Sequence, residues 1–482
     1  MVPRHPMHCQ SVDELIERAA SVANLAMLRS YAILPPIQIA TIKAFTPLLE
    51  YELICAPTSD ALARKKILAQ LNINRSILAP IRHLPIELLS YTFLLVMQEY
   101  PLRNLQASIT ISQVCSTWRT VARRQGELWT RVIVENLGDF GEYCENFLPM
   151  TKQAPLELRC DNGEILWDLW DSIASYASRW RRLKLEGRLS TLPNLKVLYM
   201  ENLERLIIDA YDAPISADLS ALDFVVAPRL QHIALTLDAL QSDRQLHIPI
   251  TRALTSLEIS TLSPFPAIIT LPLLQACRDT LQSLTIKILQ ASVDADGSYL
   301  TNASEYDPFV MKSLTHLRLV DPACSLLNHM TAPIIEELVL SAVPSYGTRS
   351  LRGFLKRGKA SDHLQTLRVY NVEERDPSAW MPCLRLLENL KALHFDDLLM
   401  NKSFLEEMII RENKPTLFPS LEGIAIWRVL WSDVELHDLI ADLCTSRDKR
   451  TTIYGKDREA YTRLAWLDES WERNMRLQTH VA

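Results

Sequence analysis

The sequence predicts an α/β chain in two parts, in which a helical unit near the N-terminus is followed by an irregular solenoid of short, repeated strands. Three observations predict this organisation. The chain has 482 residues, and a single hydrophobic core stops growing at about 250–300 residues. Before residue 133, apolar residues recur at helical spacing. After residue 150, a six-residue apolar pattern recurs instead, at intervals that favour a stack of similar units.

Residues 1–56 are predicted to form an N-terminal helical segment, to which the sequence assigns no role. Ser11-x-x-Glu14 is a capping box ahead of an amphipathic run, and Pro35-Pro36 interrupts the helix. Residues 57–79 are predicted to form a connecting helix, because Pro57-Thr58-Ser59-Asp60 has the composition of a turn that ends in an N-cap.

Residues 80–133 contain several sequence motifs that predict helices. The run Leu84-Pro85-Ile86-Glu87-Leu88-Leu89 begins a helix, since proline is tolerated in the first turn and an acidic residue is favourable there. Val114-Cys115-x-x-Trp118-Arg119 places apolar residues on one face of a later helix. Leu128-Trp129 closes the segment. About fifty residues cannot build a robust core alone, so we expect a partner or a neighbouring domain to cover the apolar surface.

This combination resembles an F-box, in the form common among mushroom-type fungi. The chain departs from that form in two places: the helix before residue 80 is short, and Met97 to Ile109 lacks an obvious signature. The resemblance implies that residues 80–133 dock to the Skp-type adaptor of a cullin-RING ubiquitin ligase. The residues that it assigns to adaptor binding are Leu84, Pro85, Glu87, Leu88, Leu89, Val114 and Trp118.

Residues 150–430 contain ten copies of the hexad Leu-x-x-Leu-x-Leu, in which Ile, Val, Phe or Trp replaces some leucines. Their starts are 21 to 33 residues apart, against 20 to 29 in leucine-rich repeats, which they resemble. Chance matches or ordinary βαβ units are the alternatives, and ten semi-regular copies disfavour them. The hexads begin at Trp180, Leu203, Leu230, Leu254, Leu281, Leu314, Ile335, Leu364, Leu390 and Leu421.

The hexads predict a stack of short strands whose apolar residues point inward. The asparagine that usually follows the strand in leucine-rich repeats is mostly replaced here by Leu or Val, so we expect an irregular, less curved solenoid. Residues 292–307 are predicted to be an exposed loop. Residues 431–482 are predicted to be a C-terminal helical cap, because Leu436, Leu439, Ile440 and Leu443 have helical spacing.

Composition bears on the chemistry that the chain can perform. The sequence has only 11 glycines, whereas average usage is about 7%, and it contains neither GxGxxG nor GxxxxGK[ST]. Phosphate-cradling loops need glycine where the backbone approaches a ligand. The nine cysteines are scattered and the eleven histidines show no HxxxH or HExxH spacing. We therefore expect no cofactor, no metal site and no catalytic residue.

Charge and hydropathy bear on partners and location. The net charge is -6 and the pI is near 6.0, which argues against a nucleic-acid partner. Two short basic runs, Arg64-Lys65-Lys66 and Arg181-Arg182, are interpreted as solvated faces. The first residues lack the apolar core of a signal peptide, and no apolar stretch approaches membrane-spanning length. We expect an intracellular protein, cytoplasmic or nuclear, without a membrane partner.

The outward-pointing residues of the strands are the expected binding surface, because alternate side chains of a strand face opposite sides of the sheet. The later hexads are richer in Arg, Tyr and Trp, which dominate protein interfaces. The residues predicted to contact a captured protein are Arg318, Arg368, Tyr370, His394 and Trp427.

Three functional hypotheses follow. The first is a substrate-recognition adaptor of a Skp-cullin-F-box ubiquitin ligase, which would capture a protein on its repeats and perform no chemistry itself. The second is a protein-binding scaffold outside any ligase, in which the F-box-like unit is structural. A weaker third is a hydrolase, for which paired carboxylates such as Glu336-Glu337 and Glu373-Glu374 would serve.

Overall fold

The protein is mixed α/β with a large, mostly parallel sheet, as seen in a computed structural model. The chain divides into two compact units, residues 1–133 with 138–157, and residues 134–137 with 158–482. Among the described helices, none combines the length and the apolarity that crossing a bilayer requires. The structure describes residues 11–29, 34–99, 104–188, 197–211, 225–237, 251–261, 267–288, 307–344, 346–373, 377–396, 402–411, 417–429 and short pieces of 439–466.

The first unit is mainly helical among its described residues. Its helices and strands, with those at its boundary, are α1 (Val12–Val22), α2 (Leu25–Arg29), α3 (Pro36–Cys55), α4 (Ala61–Leu78), α5 (Ile86–Glu99), α6 (Asn104–Gln113), α7 (Ser116–Arg124), β1 (Arg131–Val134), α8 (Leu137–Asn146) and β2 (Leu156–Cys160).

The caps predicted for the first helices are present. The Ser11 hydroxyl accepts a hydrogen bond from the Glu14 N–H, and the Asp60 carboxylate accepts one from the Ala63 N–H at the start of α4. Helices α1, α3 and α4 then bury a shared apolar core, which contains Leu15, Leu49 and Leu71. Helices α1 and α3 are therefore packed against α4.

Helices α5, α6 and α7 surround a second core, in which Leu89, Phe93 and Trp129 are at most 2% exposed. The Trp129 ring donates from Nε1 to the Ala122 carbonyl oxygen at 2.7 Å, and its own carbonyl accepts from the Tyr143 hydroxyl. A buried indole N–H needs such a partner. The Leu128-Trp129 end of the motif thus fastens α7 to the segment that follows.

The second unit contains the sheet. Its elements are α9 (Leu166–Ala174), β3 (Trp180–Arg188), β4 (Leu198–Tyr199), β5 (Arg205–Tyr211), β6 (Val225–Val226), β7 (His232–Leu237), β8 (Ser256–Thr261), α10 (Leu271–Ala276), β9 (Ser283–Ile288), β10 (Phe309–Val310), β11 (His316–Val320), β12 (Met330–Thr331), β13 (Glu337–Val343), α11 (Gly347–Lys356), β14 (Thr366–Val372), α12 (Pro377–Leu384), β15 (Ala392–Asp396), α13 (Lys402–Met408), β16 (Gly423–Val429), β17 (Thr452–Gly455) and β18 (Thr462–Trp466).

Each hexad supplies one strand of this sheet. From β3 the order is β3, β5, β7, β8, β9, β11, β13, β14, β15 and β16, so that each strand pairs in parallel with the strand of the next hexad. Inward and outward residues alternate: in β7, Ile233 and Leu235 are buried while His232 is exposed. The two small sheets, β4 with β6 and β10 with β12, lie between successive hexads in sequence.

A repeated backbone hydrogen-bond pattern sets the register. The carbonyl oxygen at the second hexad position accepts from two successive N–H groups of the next hexad, as when Gln231 accepts from Thr255 and Ser256, both at 2.9 Å. The other residues that accept in this way are Glu204, Thr255, Gln282, Thr315, Glu336, Gln365 and Lys391.

The inner face of the sheet is covered by helices of different lengths. Trp380 in α12 is fully buried and meets Phe395 of β15 edge to face at 5.2 Å. Leu351 and Phe354 in α11 are also fully buried. The segment between two successive strands packs a different set of side chains in each repeat. The repeat length therefore varies while the strands stay in register.

The C-terminal segment differs from the prediction of a helical cap over residues 431–482. Its described residues include two strands, β17 and β18, which pair antiparallel, and β18 also pairs antiparallel with β16. Thr452-Ile453-Tyr454 is rich in β-branched and aromatic residues, which favour strands. Leu439 and Leu443 of the predicted stripe are helical, as expected, and Leu443 is buried. Residues 292–306 of the predicted loop lie outside the described part of the chain.

Candidate functional site

Helix α5 has one buried and one exposed apolar face. Leu89 and Phe93 point into the core, whereas Leu88 is 53% exposed, Tyr91 59% and Leu95 43%. The spacing of the exposed residues, i, i+3 and i+7, places them along one side of the helix. An exposed stripe of large apolar side chains is a feature that marks interaction surfaces.

The predicted adaptor-binding residues are divided between this surface and the core. Pro85, Glu87, Leu88 and Val114 are exposed, and Leu84 is half-buried. Leu89 lies instead in the core, with no exposed surface, because it is one position from Leu88 and therefore faces another side of the helix.

Trp118 is half-buried and joins two helices. Its ring packs on that of Phe93 with centroids 4.9 Å apart, and it borders the same apolar core as Leu89. The main structural role of the Trp118 side chain is therefore to pack α7 against α5. The remainder of its surface is accessible.

Tyr91 and Leu95 extend the exposed face, although the sequence analysis did not assign them. Their signal was present in the sequence, because counting three and seven residues on from Leu88 along a helix reaches both. Neither residue belongs to the motif on which the F-box resemblance is based, so an assignment made from that motif did not include them.

On the outward face of the sheet, three of the predicted partner-contact residues lie in one row across the strands. Arg318 of β11 is opposite Val339 of β13, which is opposite Arg368 of β14 and then His394 of β15. Arg318 is exposed. The sheet thus brings together residues that are 76 positions apart in sequence, from 318 to 394.

Arg368 belongs to an ion-pair network on this face. Its guanidinium is 3.1 Å from the Glu337 carboxylate, and the His316 imidazole lies 4.0 Å from the same carboxylate. The Arg368 side chain is only 16% exposed. A partly exposed pair of this kind contributes about 1 kcal/mol or less to stability, so its main effect is to fix the position of the guanidinium.

Two predicted residues are less accessible than expected. His394 is 2% exposed, because the Tyr370 ring packs against it with centroids 4.7 Å apart. Tyr370 is half-buried and forms the outer layer of this pair. The Trp427 backbone lies in β16, and its side chain lies outside the part of the chain that the structure describes.

The sequence analysis did not assign Arg182 and Arg205 to the binding surface, and it interpreted Arg181-Arg182 as a solvated face. The register places Arg182 opposite Arg205 and Arg205 opposite His232 on three neighbouring strands. Burial lowers the pKa of the His232 imidazole, and the charges of Arg205 and Arg182 lower it further. The charge of Glu204 acts in the opposite direction and raises the pKa of His232.

Among the residues that the structure describes, no group of three or more His, Cys, Asp or Glu side chains is positioned to hold a metal ion. No protein-family profile matches the chain, and no curated protein is significantly similar to it.

Proposed function

We propose that the chain is the substrate-recognition subunit of a Skp-cullin-F-box ubiquitin ligase, acting inside the cell, in the cytoplasm or the nucleus. In this proposal the helices of residues 80–133 dock to a Skp-type adaptor and the outward face of the sheet captures a protein to be ubiquitinated. The chain would perform no chemistry of its own. Its contribution would be to raise the effective concentration of a substrate lysine near the charged ubiquitin carrier.

The observation that carries the proposal is the exposed stripe of Leu88, Tyr91 and Leu95 on α5. It lies in the segment whose motifs resemble an F-box. Burying a leucine or tyrosine of this kind contributes about 1.5–3 kcal/mol per side chain. Three such residues beside the exposed Pro85 offer an apolar surface that a partner helix or groove would cover.

Co-purification of the full chain with a fungal Skp-type adaptor tests the proposal. Leu88→Glu puts a charge in the stripe, and we expect it to weaken adaptor binding at least tenfold, about 1.4 kcal/mol. Leu84→Ala with Pro85→Ala is expected to weaken binding in the same direction. Ile54→Glu is the matched control, because Ile54 is an 81% exposed apolar residue of α3 and lies outside the F-box-like segment.

Equal recovery of adaptor with the wild type, Leu88→Glu and Ile54→Glu would overturn the docking proposal. The binding scaffold without a ligase would then account better for the chain. Circular dichroism of each variant establishes that a lost complex is not a lost fold.

A further inference from the structure

Helix α3 is apolar on two opposite sides. Only three of its twenty residues are charged, namely Lys43, Glu50 and Glu52. One side packs against α1 and α4 and includes Ile42 and Leu49, which have no exposed surface. A helix at a protein surface normally carries charged and polar residues on the side that faces water. The exposed side of α3 is mainly apolar instead, so its sequence is not explained by packing within this unit alone.

The exposed side of α3 has the spacing of a coiled-coil seam. Its apolar residues follow one another at intervals of three, four, three, four and three residues, which is the a and d pattern of a heptad repeat. All are exposed, and Ile37 is 79%, Tyr51 64% and Ile54 81% exposed. At 1.5 Å per residue the set extends about 26 Å along the helix. We call it the α3 stripe, and its members are Ile37, Ala40, Ala44, Pro47, Tyr51 and Ile54.

The α3 stripe is complementary to itself when two copies of the helix run antiparallel. In the register that pairs the whole stripe, Ile37 of one copy lies against Ile54 of the other. Ala40 then lies against Tyr51, so that a small side chain meets the largest one, and the two central residues lie against each other. A parallel pair would place two tyrosines in one layer and leave space between facing alanines, which close packing disfavours.

The charges beside the α3 stripe fit the same orientation. Lys43 and Glu50 are each one residue before an a position, on the same edge of the stripe. An antiparallel pair brings Lys43 of each copy near Glu50 of the other, whereas a parallel pair brings Leu48 beside Lys43. Glu50 Oε1 also accepts from Arg75 at 2.7 Å, and the second carboxylate oxygen can accept as well. Within the described part of the chain, Lys43 forms no ion pair.

The packing of α3 within its own unit favours such an association. The stripe covers about two and a half heptads, fewer than the three to four over which a coiled coil is usually recognised. Because α1 and α4 already hold α3 in its helical form, association would not have to fold it, which lowers the entropic cost. A short interface of this kind is at the low end of specific interfaces, so we expect association at micromolar concentrations.

A protein surface explains the α3 stripe better than a membrane surface does. Helices that lie on a bilayer are rich in Lys and Arg beside the apolar face, and α3 has one lysine and no arginine. A twofold interface uses the same surface on both copies, and the sizes and charges of the stripe meet that condition.

We propose that the α3 stripe is the interface of a homodimer, in which the α3 helices of two copies of this chain pack antiparallel about a twofold axis. The apolar residues of the stripe form the centre of the interface, and Lys43 of each copy pairs with Glu50 of the other. The proposal does not depend on the ligase function, because α3 lies outside the F-box-like segment.

Size-exclusion chromatography with light scattering tests the interface on the full chain. The chain has a mass of 55.0 kDa, and we expect the wild type to approach twice that mass as its concentration rises from about 1 to 100 µM. Ala44→Glu puts a charge at the centre of the stripe and is expected to weaken association at least tenfold. Ile54→Glu is expected to act in the same direction. Residue 44 is exposed and glutamate is a good helix former, so Ala44→Glu should fold.

Leu88→Glu is the matched control. Leu88 is an exposed apolar residue of α5 in the same unit, so the variant puts the same charge on a different apolar surface. We expect its association to stay within twofold of the wild type. Circular dichroism of each variant separates a lost dimer from a lost fold.

Disulfide trapping tests the orientation. Ile37→Cys and Ile54→Cys are made separately in a Cys55→Ser background, since Cys55 is an exposed thiol at the end of the stripe. We expect neither variant to cross-link to itself and a mixture of the two to cross-link, because residue 37 of one copy lies opposite residue 54 of the other and a disulfide requires such proximity. Cys55→Ser alone is the control for cross-links through other cysteines, and non-reducing electrophoresis after mild oxidation gives the result.

Three outcomes would overturn the inference: a wild-type chain that stays monomeric up to about 100 µM, a dimer that persists in both Ala44→Glu and Ile54→Glu, or either cysteine variant cross-linking to itself in preference to the mixture. Adaptor co-purification is measured on the same proteins. If Ala44→Glu is monomeric and keeps the adaptor while Leu88→Glu is dimeric and loses it, both proposals stand. If Leu88→Glu also keeps the adaptor, only the ligase proposal falls.

Discussion

Ala342 adopts a backbone conformation that glycine usually occupies. Its φ is 52°, and Asn371, its counterpart on the neighbouring strand, has a φ of 50°. The two residues lie between the paired positions Ser341 with Tyr370 and Val343 with Val372. The shortage of glycine in the sequence has a structural counterpart here, since the described part of the chain places Lys, Ala, Asn and Phe residues in the left-handed region.

Replacing Ala342 by glycine is expected to stabilise the protein. The left-handed conformation costs an L-residue about 1–2 kcal/mol, while the extra freedom of glycine in the unfolded chain costs about 0.5–1 kcal/mol, so we expect a net gain of up to about 1.5 kcal/mol. Urea unfolding followed by circular dichroism measures it. Ala234→Gly in β7 is the control, because its backbone is extended and the substitution should destabilise; a similar loss in both variants would contradict the strain at Ala342.

Two buried cysteines are expected to be unreactive in the folded protein. Burial raises the pKa of the Cys277 thiol to about 11 and that of Cys383 to about 11. The thiolate is the nucleophile, and an unfolded cysteine has a pKa of about 8.5. At pH 8 we expect iodoacetamide to modify both residues on the order of 100-fold more slowly in the native chain than in urea. Mass spectrometry of the digested protein gives the rates.

The same shifts determine how stability depends on pH. Because the folded pKa of each thiol is raised, its contribution to stability is complete below about pH 8.5 and is lost as pH rises towards the folded pKa. The exposed Cys55 is an internal reference for the labelling. Modification of Cys277 or Cys383 at the rate of Cys55 would show that these thiols are not enclosed.

At the scale of one element, two adjacent leucines of α5 differ in burial. Leu89 has no exposed surface, while Leu88 is 53% exposed. Leu89→Ala is expected to lower the free energy of unfolding by about 2–5 kcal/mol, because it leaves a cavity in the core. Leu88→Ala is expected to change it by no more than about 0.5 kcal/mol. Chemical denaturation of the two variants measures the difference, and equal losses would contradict the orientation of α5.

The sequence predicted the elements better than it predicted the surfaces. The caps at Ser11 and Asp60 and the strand at each hexad follow from local chemistry and side-chain periodicity, which act over a few residues. The burial of His394 beneath Tyr370 does not follow from local chemistry. It depends on which strands become neighbours and on the size of the side chain on the adjacent strand. The row formed by Arg182 and Arg205 likewise required the register.

The C-terminal segment shows the limit of periodicity as a guide. Leucines at helical spacing predicted a helical cap over residues 431–482; the described residues between 439 and 446 are helical, whereas Thr452–Gly455 and Thr462–Trp466 form the strands β17 and β18. Strand β16 would otherwise present an unpaired edge, and pairing with β18 covers that edge. The helical spacing covers only residues 436–443, and the prediction was wrong where it extended the helix beyond them, because the strand pairing there depends on the edge of the whole sheet.

At the scale of the molecule, neighbouring hexads are joined by backbone groups. In leucine-rich repeats, a ladder of buried asparagines forms hydrogen bonds with the backbone groups of the turns. This chain mostly lacks those asparagines. The carbonyl at the second hexad position accepts two N–H groups of the next hexad instead, for eight successive acceptors from Glu204 to Lys391. Since these bonds use only the backbone, the residue at that position varies among Glu, Gln, Thr and Lys without changing the register.

These hydrogen bonds between hexads predict that destabilising one strand also destabilises the strands beside it. Ile286 of β9 has no exposed surface, and Ile286→Asp places an unpaired charge in the apolar layer, which costs several kcal/mol. We expect the amides of β8, β9 and β11 to lose hydrogen-exchange protection together, because each strand is stabilised mainly by the strands beside it.

Thr285→Asp is the control, since Thr285 is the adjacent, half-buried residue on the outward face and is opposite Arg318. The same charge should be tolerated there, with protection close to that of the wild type. Hydrogen exchange read by mass spectrometry resolves the strands separately. Loss of protection confined to β9 in Ile286→Asp would mean that the strands are stabilised individually, and the stacked arrangement would then not be what makes the sheet stable.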